Sequence, residues 1–149
     1  DLGYNYRMCE VASALGIVQL RHLEQKNERR RQIVDRYRKT LAGIEGITCP
    51  FGGKTNGVSS YHIFPVILSA DLPRIGFQGA LKKRGIQTSV HYPPVHLFTY
   101  YRRLLGDTRG SLPKTEFVGE HEVTLPLYPG MTDDDADYIC TAIEGAVSR

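Results

Sequence analysis

His91 and Tyr92 stand at the end of the segment Ile86–Tyr92, and both are side chains that can do chemistry. The segment is predicted to be a strand that stops at Pro93-Pro94, because proline cannot continue a ladder of hydrogen bonds. Side chains at such a point are held by the strand and still face a cleft. An imidazole there can form hydrogen bonds, and a phenol can stack or offer its hydroxyl group. A zinc site shared with His96 is not expected, because no third ligand is suggested nearby. The sequence leaves open that both histidines are ordinary loop residues.

A second pair of candidates lies in the segment Ser60–Leu68. This segment is apolar on both alternating sets of positions, which is typical of a strand covered on both faces, although Pro65 indicates an edge or a bulge. Tyr61 and His62 alternate across the predicted strand, so only one of them can face a given site. We expect Tyr61 to approach a ligand and His62 to be a satisfied core histidine.

Asn5 and Arg7 come just before, or open, a long predicted helix over residues 7–41, which contains no proline and a single glycine, Gly16. Apolar residues recur there at helical spacings, so the segment is one continuous helix or a helix broken once. Residues 8–20 are apolar on more than one face, and we expect them to be buried against something larger. The residue type alone favours a helix-cap or turn role for Asn5 over a role in ligand binding.

The remaining elements predict an α/β (α+β) arrangement, with helices packed on a small sheet. A helix is predicted over about 71–84 with Gly85 as its cap, followed by short helices around 98–105 and after Leu112. A short extended run over 123–129 leads to a final helix that Thr132 caps and whose acidic first turn suits the positive end of the helix dipole. Its inward stripe is expected to be Ile139, Ile143 and Val147.

Composition and charge argue against several classes of partner. With 41% hydrophobic and 23% charged residues, the chain has the composition of an ordinary soluble protein. No apolar run approaches the ~20 residues that span a bilayer, so no membrane association is expected. A net charge of +3 does not indicate a polyanion partner, and the basic residues at 29–39 spread around a helix with acids between them. Three widely spaced cysteines predict reduced thiols and a cytoplasmic protein.

Five blocks, in this order, resemble the DegT/StrS-type sugar aminotransferases, which depend on pyridoxal 5'-phosphate (PLP). The blocks are GYNYRM at 3–8, ERRR at 28–31 with Tyr37, SSYHIF at 59–64, GIQTSVHYPPVH at 85–96 and LPLYPGMTD at 125–133. The resemblance covers essentially the whole chain. It implies the small carboxy-terminal domain of a fold-type-I PLP-dependent transferase, with a linking and interface helix at 1–42 and a small α/β domain at 43–149. Almost nothing precedes the first block, so we expect a carboxy-terminal fragment whose large cofactor-binding domain lies upstream.

The resemblance also implies an activity and a partner. Such an enzyme transfers an amino group, with glutamate the expected donor, to a keto group on a nucleotide-linked sugar during deoxyamino-sugar synthesis, and it works as a homodimer. Asn5 is implied to reach the PLP phosphate that the other subunit mainly holds, and a carboxamide before a helix suits that role. Arg7 is implied either to contact anionic groups or to pair with an acid across the dimer interface.

The loop after Tyr92 is implied to lie near the nucleotide sugar of the neighbouring subunit. The expected substrate-binding residues are therefore Tyr61, His91, Tyr92 and His96. Hydrogen bonding is the role expected of His91, and stacking or hydroxyl contact is the role expected of Tyr92.

Transamination also needs a lysine that bonds covalently to the cofactor, and no lysine of this chain stands in an apolar setting that would lower its pKa. No catalytic residue is therefore assigned, and the isolated chain is expected to be inactive. A rival hypothesis is a free-standing, non-catalytic module of the same family that dimerises or binds a ligand and ignores PLP.

Overall fold

The computed structural model describes residues 3–4, 6–52 and 57–148 as helices packed on a small antiparallel sheet. The predicted α+β class is thereby confirmed. None of the helices in these ranges combines the length and the apolar character that crossing a membrane requires. The helices are α1 (Glu10–Arg21), α2 (Leu23–Leu41), α3 (Arg74–Lys83), α4 (Thr99–Leu105), α5 (Pro113–His121) and α6 (Asp133–Val147), the strands are β1 (Ile47–Thr48), β2 (Phe64–Leu68) and β3 (Glu122–Leu125), and Val95–Leu97 forms a 3-10 turn.

The long amino-terminal helix is broken once, at His22. The backbone of His22 leaves the helical region, with φ −106° and ψ 2°, and α2 resumes at the next residue. The two halves differ sharply in burial, because α1 buries no residue and α2 buries four. The larger body expected to cover residues 8–20 is not found among the described residues, so that burial stays a prediction.

One hydrophobic core joins α2, α3 and α6 to strands β2 and β3. Tyr37 of α2 is fully buried in it and donates its hydroxyl hydrogen to the carbonyl oxygen of Pro126 at 2.9 Å. Burial away from water raises the pKa of this phenol. From α6, Ile139 and Ile143 are buried as predicted, while Val147 is half-buried at the rim. The helix predicted as a linker thus contributes its second half to the core, and the division after residue 42 stays a prediction.

Strand β2 is central in the order β1-β2-β3, so the edge position that Pro65 suggested is wrong for the strand as a whole. Pro65 faces Thr124, whose own N–H and C=O bond Ser89 on the far side of β3. The pair is therefore one of the non-hydrogen-bonded pairs of an antiparallel ladder. On its other side β1 reaches only Ile67 and Leu68. No neighbouring strand needs an N–H from Pro65, which explains why proline is tolerated there.

The predicted strand Ile86–Tyr92 is also wrong. The segment meets the sheet only at Ser89, whose N–H and C=O bond Thr124 at 3.1 and 2.8 Å. Near its two ends, the N–H groups bond other partners. The N–H of Ile86 donates to the carbonyl of Leu81 in α3, and the N–H of His91 donates to the side chain of Glu122. A ladder therefore cannot extend beyond one bridge.

The ends of α3 and α6 follow the predicted caps. Gly85 after α3 has φ +76°, a conformation that glycine adopts without steric cost. At the start of α6, the Thr132 hydroxyl accepts from the N–H of Asp135 at 3.1 Å, and the Asp135 carboxylate accepts from the N–H of Thr132 at 2.9 Å. This reciprocal capping box fixes where the last helix begins.

The basic face of α2 pairs with the acidic first turns of α6. Arg29 contacts Asp133 at 2.8 Å, and Arg36 contacts Asp133 and Asp137, each at 2.7 Å. Arg29 also donates to the carbonyl of Met131. Arg29 and Arg36 therefore help to align two helices of the core.

Candidate functional site

The segment that carries His91 and Tyr92 is anchored on both sides. Before it, Ser89 forms the bridge to Thr124. After it, Pro94 packs on the buried Gly119 of α5, where an added Cβ would lie 2.5 Å from Cδ of Pro94. Only glycine allows so close an approach. Residues 89–94 are thus held against β3 and α5.

The His91 ring is tied to β3 by a small polar network. Its Nδ1 lies 2.9 Å from the Thr124 hydroxyl, and its backbone N–H donates to the Glu122 carboxylate at 2.9 Å. The Thr124 hydroxyl donates to the other oxygen of the same carboxylate. Ser89 Oγ stands 3.5 Å from Nδ1, which is too long for a strong hydrogen bond. His91 is half-buried, so the network orients a ring that solvent or a ligand still reaches.

Sequence reasoning did not identify Glu122 and Thr124. Both are buried, with exposed fractions of 3% and 5%. A signal was available, because a glutamate next to a strongly apolar strand needs a partner if it is buried. That signal was missed because residue 122 lies just outside the extended run predicted over 123–129.

Tyr92 is 73% exposed and stands edge-on to the His91 ring, with the ring centroids 5.0 Å apart and the planes at 83°. The peptide bond between these two residues is cis. The exposed phenol ring beside a fixed imidazole gives one aromatic face and one polar group. This combination suits a ligand with an apolar face and hydroxyl groups.

A cleft of about 580 Å³ borders this segment at Ser89 and is also lined by Asp135, Tyr128 and Tyr138. His91 and Tyr92 do not line it. They lie outside the cleft, on an open surface.

His96 lies in a different environment. Its Nε2 is 3.0 Å from the Glu116 carboxylate, and only 12% of its side chain is exposed. The same carboxylate accepts the N–H groups of Gly110 and Leu112. The hydrogen bond from His96, together with these N–H groups, holds the pKa of Glu116 below its usual range. The structure thus brings His96 to Glu116, and its role in binding substrate stays a prediction.

Tyr61 and His62 lie before β2, because that strand begins only at Phe64. Tyr61 is half-buried against the core in a left-handed conformation with φ 48°. His62 is exposed, so the prediction of a core histidine is wrong. The physical reason is that the alternation predicted for these residues needs a strand that extends back to residue 60.

The residues predicted to face the cofactor are only partly described. Asn5 lies outside the described residues, and Arg7 is exposed. Of the described lysines, Lys39, Lys82, Lys83 and Lys114 are exposed. Lys26 is half-buried and donates to Gln19 at 2.6 Å.

None of these amines stands in an enclosed apolar setting, so the described residues do not fit a site of covalent PLP attachment. Within the same ranges, no cluster of three or more histidine, cysteine or acidic side chains is placed to hold a metal ion. The three cysteines are free thiols, and burial raises the pKa of Cys49 and Cys140.

Helices on a small antiparallel sheet, with a histidine and a tyrosine presented beside β3, define a small α+β domain. Comparison with known proteins gives its family. The model of the DegT/DnrJ/EryC1/StrS aminotransferase family matches residues 1–144, and the chain belongs to this family. The predicted resemblance is confirmed.

The similar proteins include one of Methanocaldococcus jannaschii, the uncharacterized protein MJ1066, which is 36% identical over all of this chain and 39% of its own length. Among solved structures, S. venezuelae DesV in complex with a ketimine intermediate is 31% identical with a TM-score of 0.90, over 100% of this chain and 39% of that one. The aminotransferase TlmJ from Streptoalloteichus hindustanus is 30% identical with a TM-score of 0.86, over 99% of this chain and 39% of that one. The chain thus spans about two fifths of the length of these relatives.

Proposed function

We propose that this chain is the part of a PLP-dependent sugar aminotransferase that closes one wall of the active site. In the whole enzyme, an amino group passes from glutamate to the keto carbon of a nucleotide-linked sugar. Membership of the aminotransferase family and the solved PLP form of its structural neighbour Spr1654 from Streptococcus pneumoniae support the reaction class. The sugar and the donor follow from the resemblance of the sequence blocks.

One observation carries the role of this chain: His91 is oriented by buried groups, while Tyr92 beside it is exposed. A sugar presents C–H faces that stack on an aromatic ring and hydroxyl groups that need hydrogen-bond partners. His91 would take a hydroxyl group, and Tyr92 would stack or offer its own hydroxyl. Tyr61 and His96 would line the same wall from farther away.

Under this proposal, the residues that carry out the covalent chemistry of the reaction lie outside this chain. PLP supplies the carbonyl group that accepts the amino group and the ring that withdraws electrons during the transfer. The described lysines do not fit that cofactor. Asn5, and Arg7 if it contacts anions, would bind the PLP phosphate that the partner subunit mainly holds. The active enzyme would therefore be a homodimer. The 149-residue chain alone would be inactive.

The test is made on the longest open reading frame that contains this chain. The purified protein is supplied with PLP, glutamate and a panel of nucleotide-linked keto sugars, and the release of 2-oxoglutarate is measured. We expect glutamate-dependent amination of at least one sugar, and His91→Ala should raise KM roughly tenfold through a lost hydrogen bond. His62→Ala, at an exposed histidine, is the matched control and should stay within about twofold. Failure to aminate any of these sugars, or equal effects of the two variants, would contradict the proposal.

The exposed apolar face of α1 also favours the rival function, a non-catalytic module that pairs with a second copy. Val11, Leu15 and Leu20 are 72, 61 and 66% exposed, respectively. Light scattering of the 149-residue chain would show a stable dimer in that case, with no change when PLP is added. A monomer that needs the remainder of the enzyme would exclude it.

A further inference from the structure

Glu122, Thr124 and His91 form a chain of hydrogen bonds with a defined direction. We infer that Glu122 and Thr124 are positioning residues that keep the proton of the neutral His91 ring on Nδ1, so that Nε2 is presented as a hydrogen-bond acceptor. The site would then bind a donor group, such as a hydroxyl, at this point and would disfavour a phosphate oxygen. This ligand class rests on the proposed function, whereas the tautomer itself does not.

The direction begins at the Glu122 carboxylate. An ionised carboxylate only accepts hydrogen bonds. One of its oxygens accepts the backbone N–H of His91 at 2.9 Å, and the other accepts the Thr124 hydroxyl. The backbone N–H cannot reverse its role, so it fixes which carboxylate oxygen faces Thr124.

The next step is at the Thr124 hydroxyl, which has a single hydrogen. Because that hydrogen is given to Glu122, the hydroxyl oxygen can only accept from the His91 ring, whose Nδ1 lies 2.9 Å away. The acceptor requires a hydrogen on Nδ1. In a neutral imidazole the other nitrogen, Nε2, then carries the free lone pair.

Burial keeps water from disturbing this order. Glu122 and Thr124 alternate with Val123 and Leu125 along β3, and all four residues are buried. The bridge between Ser89 and Thr124 fixes the spacing of the two segments. At Nε2 of His91, by contrast, no hydrogen bond from any residue in 3–4, 6–52 or 57–148 is present.

His96 provides an internal reference, because its partner requires the opposite arrangement. Its Nε2 faces the Glu116 carboxylate at 3.0 Å, and an acceptor-only group needs a hydrogen on that nitrogen. The two histidines of one motif are thus expected to be opposite tautomers. A neutral His91 that offers a lone pair cannot donate to an anionic oxygen, which makes it selective for hydroxyl or amine donors.

The tautomers are read directly from the side-chain ¹⁵N and ¹H correlations of the ¹⁵N-labelled 149-residue chain near pH 8, above the ordinary histidine pKa of about 6.5. We expect His91 to show a protonated Nδ1 and an unprotonated Nε2, and His96 to show the reverse. A His91 ring with its hydrogen on Nε2, or a mixture of the two tautomers, would overturn the inference.

Glu122→Gln is the sharpest variant because it keeps the shape of the side chain. The backbone N–H of His91 needs the amide oxygen, so the amide NH₂ group is turned to Thr124. The hydroxyl then accepts from the amide and donates to Nδ1, and the hydrogen of the ring moves to Nε2. We expect the tautomer of His91 to invert while that of His96 stays unchanged. An unchanged His91 in a folded Glu122→Gln chain would contradict the relay.

Thr124→Ser and Thr124→Val complete the set. Serine keeps the hydroxyl and should keep the tautomer, whereas valine removes it and should give a mixture. If Glu122→Gln does not fold, as judged by the dispersion of its amide signals, this pair still decides the matter, since equal His91 signals in both would overturn the inference.

In the amination assay, Glu122→Gln and Thr124→Val should each raise KM about three- to tenfold with kcat nearly unchanged, and Thr124→Ser should reverse most of the loss seen with Thr124→Val. The two proposals fail separately. An expected tautomer without any amination would refute the proposed function and leave the relay intact, while amination with the wrong tautomer would do the reverse.

Discussion

Helices α1 and α2 follow one another along the chain, and yet they are stabilised in different ways. α1 is the more apolar of the two and buries nothing, whereas α2 is crowded with charge and places Ile33, Val34, Tyr37 and Leu41 in the core. Arg29 and Arg36 of α2 pair with acids of α6, and Arg31 pairs with Glu28 and Asp35 of its own helix.

This difference shows that apolar content does not decide which helix builds the core. A narrow apolar stripe at the right spacing is enough for α2, because the rest of its surface can stay solvated. The broad apolar surface of α1 is not covered by any of the described residues. Under the proposed function, the rest of an aminotransferase would cover this surface, and the chain spans about two fifths of the length of its solved relatives TlmJ and DesV.

The largest expected effect separates the two helices directly. Leu41→Ala removes a side chain that is fully buried in α2, so it should lower the free energy of unfolding by about 2–5 kcal/mol. Leu20→Ala removes the same atoms from α1, where the side chain is 66% exposed. This variant should change the free energy of unfolding by less than about 0.5 kcal/mol. Urea denaturation measures both. Comparable losses would mean that α1 is packed like α2.

A second pair of variants compares glycines. Gly119→Ala in α5 places a Cβ 2.5 Å from the Pro94 ring and should destabilise the chain by about 1–3 kcal/mol. Gly16→Ala in α1 meets nothing within 4 Å and should be neutral or raise helicity slightly. Both changes add the same helix propensity, so the difference in unfolding free energy isolates the clash. If Gly119→Ala is as stable as Gly16→Ala, the contact that anchors the site segment is absent.

A third pair compares phenols. Tyr37→Phe removes the hydrogen bond to the Pro126 carbonyl and leaves a buried acceptor, at a cost of about 1 kcal/mol. Tyr6→Phe, at a ring that is 87% exposed just before α1, should leave the unfolding midpoint unchanged. Thermal and urea unfolding followed by circular dichroism would reveal the difference. A Tyr37→Phe variant with an unchanged unfolding midpoint would contradict the presence of that hydrogen bond.

The smallest effect concerns pH and the pairing of α2 with α6. Hydrogen bonding to Arg29, with the charge of Arg36, lowers the pKa of Asp133 below its ordinary value of 3.8. Such a group stabilises the fold above its unfolded pKa, and the contribution is lost as pH falls through the lower folded value.

The midpoint of thermal unfolding should therefore decrease when the pH is lowered below about 4. Asp133→Asn should make this decrease smaller. Asp134→Asn is the matched control, since Asp134 lies in the same helix turn and forms no ion pair with the described residues. Unfolding midpoints between pH 6 and pH 2 measure the effect. Identical acid profiles for the two variants would contradict the pairing.

Most helices could be predicted because their signals are local. The caps at Gly85 and Thr132 and the stripe of α6 follow from spacing and capping residues, whereas the sequence leaves the break at His22 open. The sheet was harder, because pairing joins distant residues. Nothing local at Ile86–Tyr92 shows that only Ser89 would bond β3, or that Pro65 would face a non-hydrogen-bonded pair.

For the site, residue types indicated His91 and Tyr92 but not what holds them. Glu122 and Thr124 lie some thirty residues later in the chain, and only the three-dimensional pairing of Ser89 with Thr124 brings them to the ring. His96 shares the motif with His91, and yet Glu116 takes its Nε2, because α5 folds back on the loop.

Hydrogen exchange of the 149-residue chain at low micromolar concentration tests the central difference between α1 and α2 most directly. An isolated twelve-residue helix is marginal in water, so the amides of α1 should exchange nearly as fast as those of an unfolded peptide. The amides of α2 around Tyr37 and the N–H groups of Ser89 and Thr124 should exchange far more slowly, at rates set by global unfolding. Amides of α1 as slow as those of α2 would contradict the account, because its apolar face would then be covered by this chain or by a second copy.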